Sequence, residues 1–243
     1  MGILFIDGGN TSAKWLLCDA LSFKTLSSGS FSYEQGCRNI EWLSVDHVYM
    51  ADVSAKCLAC LLVNKPSETA VTEVVSVKSL FGVTNSYHEP DRLGVDRFLS
   101  VVEAYNVYAT ACCVIDIGTA AKVDVVDESG LHLGGYIVPG LAMSEEALLG
   151  GTGKVRFEPE EVGVETIHYG TDTASAVTNG CLSIMVAWVD KVAGNFLKAH
   201  SQGRVLITGG GAARVVPHLL ARVERVDGLV LRALRRIAKQ ASE

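Results

Sequence analysis

Two aspartates in this chain stand where an apolar strand runs into a glycine turn, a placement that brings a carboxylate beside bare backbone. The first is Ile3-Leu4-Phe5-Ile6-Asp7-Gly8-Gly9-Asn10-Thr11, followed by a second apolar stretch, Ala13-Lys14-Trp15-Leu16-Leu17. Glycine has no Cβ and accepts positive φ, so its N–H groups can approach a polyphosphate closely. Asn10 and Thr11 add side-chain donors, and Lys14 adds a cation. Asp7 would repel phosphate, so its position makes sense mainly with a divalent metal between them. A β-hairpin with a Gly-rich turn uses the same residues, and this stretch alone leaves both readings open.

The same logic recurs. Val114-Ile115-Asp116-Ile117-Gly118-Thr119-Ala120 is again an apolar strand ending in Asp-x-Gly-Thr, and Val123-Asp124-Val125-Val126-Asp127 returns from it. A third junction takes Val205-Leu206-Ile207-Thr208 into Gly209-Gly210-Gly211-Ala212. Repetition carries more than any single motif and points to an internally duplicated nucleotide-binding protein.

On these residues the chain resembles the sugar kinase, heat-shock 70 and actin superfamily of ATP-binding folds, and within it the type III pantothenate kinases. Asp7-x-Gly-Asn-Thr is similar to that family's first phosphate motif and Asp116-x-Gly-Thr-Ala to its second. Tyr87-x-x-Pro90-x-x-Leu93-Gly94-x-Asp96-Arg97 resembles its substrate segment, and His132 to Gly140 the strand and turn after the second phosphate motif. Thr173-x-x-Ala176-x-x-x-Gly180 is similar to a helix start that touches substrate. The similarity runs from residue 2 to about 236 and is poor from about 20 to 80.

The resemblance implies an α/β, duplicated ribonuclease-H-like (actin-like ATPase) fold with two lobes around a central nucleotide cleft. It implies ATP with Mg2+ or a similar divalent ion at Asp7, Gly8, Gly9, Asn10, Thr11, Ser12, Ala13, Lys14 and Thr119. Pantothenate would meet Tyr87, Gly94, Val95, Asp96, Arg97 and Thr173. A monovalent cation, potassium or ammonium, would lie near Asp116 and the ATP phosphates, making turnover potassium-dependent. The implied reaction phosphorylates the primary hydroxyl of pantothenate to 4'-phosphopantothenate, the first step toward coenzyme A. A cytoplasmic homodimer is implied with it.

Asp96 is the candidate catalytic residue. Phosphoryl transfer passes through a loose transition state, so the protein mainly positions groups and neutralises charge, and a carboxylate accepts the hydroxyl proton as the bond forms. The structural alternative is an acid in the first turn of a helix over about 94–108, favoured there by the dipole. Arg97 offers a planar fork to a carboxylate or phosphate; its alternative is a surface ion pair with a neighbour such as Glu103. Tyr87 contacts substrate or caps a loop. Thr173, with Asp172, is a plausible helix N-cap, which also leaves N–H groups for an anion.

Several positions depart from the resemblance. Lys122 stands where many relatives carry a small hydroxyl or apolar residue, and it could reach phosphate or block part of the site. Gly211 stands where an acid is frequent. Gly150-Gly151-Thr152-Gly153-Lys154 lacks the order of a Walker loop and reads as a surface loop. Cys57-Leu-Ala-Cys60 has the spacing of a redox or zinc pair but no second pair or His nearby, so small-hydrophobe packing is the simpler reading.

The elements that must position these groups follow from pattern. Residues 2–31 read as a three-strand meander, then a helix, a strand at 47–52, a helix at 55–64 and a strand at 71–77. Residues 80–93 read as loop, with the 94–108 helix after them. The second half restarts with strands near 111–116, 121–127 and 131–138, a long helix near 172–198, a strand near 204–208 and helices after 210 and 228. The expected lobes are 1–110, holding the first phosphate motif and substrate segment, and 111–243, holding the second phosphate motif and adenosine side.

Composition bounds the function. The chain has 243 residues, 49% of them apolar, enough for two cored lobes, and a net charge of -6 argues against non-specific nucleic-acid binding. A stripe of Arg232, Arg236 and Lys239 reads as a solvated helix face. No uninterrupted apolar run approaches the roughly 18 residues of a membrane span, and no basic leader precedes Asp7. Seven cysteines without an export signal favour reduced thiols. Two rivals to the kinase are a non-catalytic regulator of transcription and a phosphohydrolase of the same fold. The set Asp7, Asp96, Arg97 and Asp116 argues against the first, and the Tyr87–Arg97 segment, as an acceptor pocket, against the second.

Overall fold

A strand buried on both sides belongs in the middle of a sheet covered on each face. β1 (Gly2–Gly8) is such a strand. In the computed structural model, which describes residues 2–38 and 40–242, it is central in a five-stranded sheet. β2 (Ser12–Asp19) and β3 (Thr25–Ser32) extend the sheet antiparallel on one side. β4 (Val45–Asp52) and β5 (Ala70–Glu73) extend it in parallel on the other. Leu4 and Ile6 pack with Val48, Met50 and Leu61, the last from α1 (Lys56–Asn64). Ile3 and Phe5 point the other way, as strand alternation requires, and join Leu99 of α2 (Val95–Tyr108). A short hairpin, β6 (Ser79–Leu80) and β7 (Val83–Thr84), leads into the segment before α2.

The second sheet repeats this order. β8 (Cys112–Ile117) is central, with β9 (Ala120–Val126) and β10 (His132–Pro139) antiparallel on one side. After α3 (Leu141–Gly151) and α4 (Thr173–Ala199), β11 (Arg204–Thr208) pairs in parallel with β8 on the other side. The one-turn α5 (Ala212–Val215) and β12 (Glu224–Arg225) follow. Cys113, Ile115 and Ile117 bury one face of β8 among Leu182, Met185 and Val189 of α4. By length and composition α4 would pass for a membrane span, yet these apolar residues serve the core of its own unit.

The chain divides into one unit of Met1–Val107 with Gly228–Glu243, and another of Tyr108–Asp227. The last helix, α6 (Leu229–Ala241), therefore groups with the first unit, whereas the sequence placed it with the second. Its Val230, Ala233, Leu234 and Ala238 cluster with Ile3 and Phe5, which a linear reading cannot anticipate. Its basic stripe is partly used within the unit: Arg236 Nε donates to Glu103 Oε2 at 2.9 Å, and Lys239 lies 5.4 Å from the Phe23 ring centroid. Glu103 is buried, so Arg236→Met strands a carboxylate. We expect it to cost about 2 kcal/mol, or roughly 4–8 °C in calorimetric Tm; an unchanged Tm would show the pair to be inert.

Among the described residues between β3 and β4 there is only a 3-10 turn, Trp42–Ser44, because Gly36 takes φ 69 and interrupts a helix. β5 stops at Glu73, short of the expected 77. Gly150 and Gly151 form the last turn of α3, a helix the sequence did not signal, rather than a loop.

Candidate active site

The first aspartate turn is braced from behind. The Gly9 carbonyl accepts from Tyr33 Oη at 2.7 Å and Ser54 Oγ at 3.1 Å, and the Asn10 carbonyl accepts from Lys56 Nζ at 3.2 Å. Burial pushes the Tyr33 phenol up to about 12, so it remains a donor throughout the neutral range. Asp52 accepts from the Leu58 N–H at 2.9 Å and the Ser54 N–H at 3.0 Å, fixing the start of α1 beside the turn. Asn10, Thr11 and Ser12 face solvent, Asp7 is half-buried and Ala13 is in the core. An added Cβ on Gly8 would fall 2.8 Å from the Cys57 Cβ. Cys57 is thus a buried packing group whose thiol is pushed up by burial. Cys60 Sγ lies 3.6 Å from Cys37 Sγ, and all the cysteines are free.

The Tyr87–Arg97 segment is built around Asn85, a buried residue. Its Nδ2 donates to the Pro90 carbonyl at 3.0 Å, while its Oδ1 accepts from the Tyr87 N–H at 2.9 Å. The only sequence signal was an Asn two residues before the tyrosine, which is the spacing of an Asx turn. Tyr87 Oη in turn accepts from Arg97 Nη1 at 3.1 Å, and the guanidinium lies 6.0 Å from the ring centroid. Arg97 is buried rather than on the surface, and Glu103 serves Arg236. Asp96 sits half-exposed in the first turn of α2, accepting the Arg97 N–H at 2.8 Å. A hollow of about 240 Å3 lies against Asp52, Ser76, Leu93, Gly94 and Val95. Ser76 Oγ is buried there without a protein partner, a second group the sequence did not flag.

The second turn has its own braces. The Gly140 N–H donates to the Thr119 carbonyl at 3.0 Å, and a Cβ on Gly140 would lie 2.2 Å from the Gly118 carbonyl oxygen. Gly209, at φ 92, packs so near Asp116 that a Cβ would fall 2.4 Å from Oδ1. A Cβ on Gly211 would lie 2.6 Å from Ile117 Cγ2, so a side chain there would crowd β8. Thr119 is exposed at the turn itself. Lys122 neither projects past the turn nor stands alone: its Nζ lies 2.9 Å from Asp116 Oδ2. Further along, Asp172 caps α4 by accepting from the Ser175 N–H at 2.8 Å, so Thr173 is the first helical residue and not the cap.

Asp7 and Asp96 thus lie in the first unit, with Tyr87, Gly94, Val95 and Arg97; Asp116, Thr119 and Thr173 lie in the second. Among the described residues, no group of three or more His, Cys, Asp and Glu side chains is placed to hold a metal ion.

A sequence model of the family described as type III pantothenate kinase matches residues 3–195. A type III pantothenate kinase of Marinomonas sp. is 34% identical over 233 residues, covering 94% of this chain and 91% of its own. That of Alcanivorax borkumensis is 33% identical over 261 residues, covering 97% and 98%. Among solved structures, a Campylobacter jejuni protein described as a Baf family transcriptional activator superposes with TM-score 0.62 at 16% identity, covering 98% of each chain. The ethanolamine utilization protein EutJ of Carboxydothermus hydrogenoformans gives TM-score 0.52 at 14% identity, covering 98% of this chain and 89% of that one. At such identities the likeness is one of fold.

Proposed function

The chain belongs to the type III pantothenate kinase family and catalyses the ATP-dependent phosphorylation of pantothenate, and on that premise we propose how its residues divide the work. The observation that carries the reading is the Tyr87–Asn85–Arg97 network, which leads directly into the first turn of α2 where Asp96 is held. Asp96 takes the proton from the primary hydroxyl of pantothenate as that oxygen attacks the γ-phosphorus, and ADP leaves. Arg97 is buried and its guanidinium is held by Tyr87, so its position is preorganised for the pantothenate carboxylate or the transferred phosphate. Gly94 and Val95, at the start of α2, belong to the acceptor side, and Thr173 is assigned to substrate on the family resemblance.

The turns Asp7–Lys14 and Gly118–Thr119 offer backbone and hydroxyl donors to the ATP phosphates. Asp7 would hold the divalent ion, whose contribution is to neutralise charge on the phosphates. The monovalent cation expected at Asp116 is given no step, since the Lys122 ammonium already stands on that carboxylate. The catalytic set gives no reason to prefer a regulator of transcription.

We read the protein as a cytoplasmic homodimer that does not bind nucleic acid. Leu133, Tyr136 and Ile137 on the edge strand β10, with Met143 and Leu148 on α3, are exposed and apolar, which supports a contact between copies. Sedimentation tests the dimer, and Ile137→Asp is expected to shift it toward monomer.

The division of work is tested by steady-state kinetics with ATP and pantothenate. Tyr87→Phe removes the acceptor of the Arg97 bond, and we expect the KM for pantothenate to rise roughly five- to tenfold with the KM for ATP unchanged. Equal changes in both would place the network outside the acceptor pocket.

A further inference from the structure

The ion pair between Asp116 and Lys122 is a product of strand register. Asp116 on β8 and Lys122 on β9 are directly opposed across an antiparallel ladder, so their side chains leave the sheet on the same face a few ångströms apart. Their side chains are only 30% and 19% exposed, so the pair is neither long nor fully solvated. The carboxylate is boxed on its other side, since the Gly209 backbone approaches Oδ1 too closely for any side chain. The next inward positions on that face, Asp124 and His132, are already bonded to one another at 2.9 Å.

A monovalent cation serves such a site by placing one positive charge against a carboxylate that would otherwise face polyphosphate. The lysine head group is itself an alkylammonium, a compact point charge with three donors. Because it is tethered to the neighbouring strand, a free ion must compete with a group of high effective concentration. A second cation on the same oxygen would also sit within a few ångströms of a like charge. The residues here do not fit a further monovalent ion.

We propose that the Lys122 ammonium replaces the monovalent cation at Asp116, so that this kinase turns over without potassium or ammonium. The proposal rests on the kinase reading, and the test separates the two. ADP and phosphopantothenate are measured directly by chromatography in a buffer whose only monovalent cation is N-methylglucamine, then with potassium or ammonium chloride added at constant ionic strength. The expected result is a wild-type rate within about twofold across these conditions. Lys122→Ala is expected to lose at least about tenfold in the N-methylglucamine buffer and to recover on adding potassium or ammonium. A second readout needs no turnover. With Mg-ATP present, wild-type Tm is expected to be the same in potassium and N-methylglucamine, while Lys122→Ala is stabilised specifically by potassium. Lys122→Gln serves if the alanine variant does not fold.

A wild-type rate that rises more than about tenfold with potassium overturns the proposal while leaving the kinase intact. So does a folded variant as independent of potassium as wild type. Absence of pantothenate-dependent ADP release under every salt condition overturns both.

Discussion

Asp96→Asn is expected to lower pantothenate-dependent turnover at least about a hundredfold, the scale of a lost general base, with Tm and ATP affinity preserved. Asparagine keeps the shape and an oxygen that can still accept the Arg97 N–H now bonded at 2.8 Å, so α2 retains its start. What it loses is the basicity needed to receive a proton from an attacking hydroxyl. The competing explanation, an acid placed only to complement the helix dipole, is worth roughly 0.3–1 kcal/mol of stability and nothing in turnover. The two readings therefore move different observables. A variant that melts slightly earlier but turns over within threefold of wild type would leave Asp96 a helix-start residue.

Gly140→Ala is the second large effect. The new methyl would lie 2.2 Å from the Gly118 carbonyl oxygen and 2.5 Å from that of Thr119. Both are backbone atoms of the second aspartate turn, so no rotamer relieves the overlap and either β10 or the turn must shift. Overpacking of this kind costs about 3 kcal/mol. We expect that loss in denaturant unfolding, together with at least a tenfold rise in the KM for ATP. Gly194→Ala provides the contrast, because it is interior to α4 and a Cβ there meets nothing within 4 Å. Helix propensity predicts that it stabilises by up to about 1 kcal/mol. If both variants behave alike, the close approach at Gly140 has no bearing on the turn.

The duplicated design was legible because both halves write it the same way, as an apolar strand, an aspartate, glycine and a returning strand. The two sheets accordingly share one strand order. Asp96, Tyr87 and Arg97 were legible as a cluster because they fall within one short segment. What could not be read were pairings set by distant chain. Arg97 has an acid on its own helix at Glu103, and only the position of α6 reveals that Glu103 belongs to Arg236. α3 escaped notice because its Leu, Ala and Met residues show little amphipathic period and most of its length is not buried. Asn85 looked like one polar loop residue among several, and only its burial distinguishes it. Lys122 was visible as a departure, but its partner depends on a register of β8 against β9 that the sequence leaves open.

The most direct measurement is the 31P spectrum of the purified protein incubated with Mg-ATP and pantothenate, read against the same mixture without pantothenate. A new phosphomonoester resonance, at the primary hydroxyl of pantothenate, is expected to grow in step with ADP and to be lost in Asp96→Asn. ADP and inorganic phosphate forming equally with and without pantothenate, with no ester signal, would contradict it.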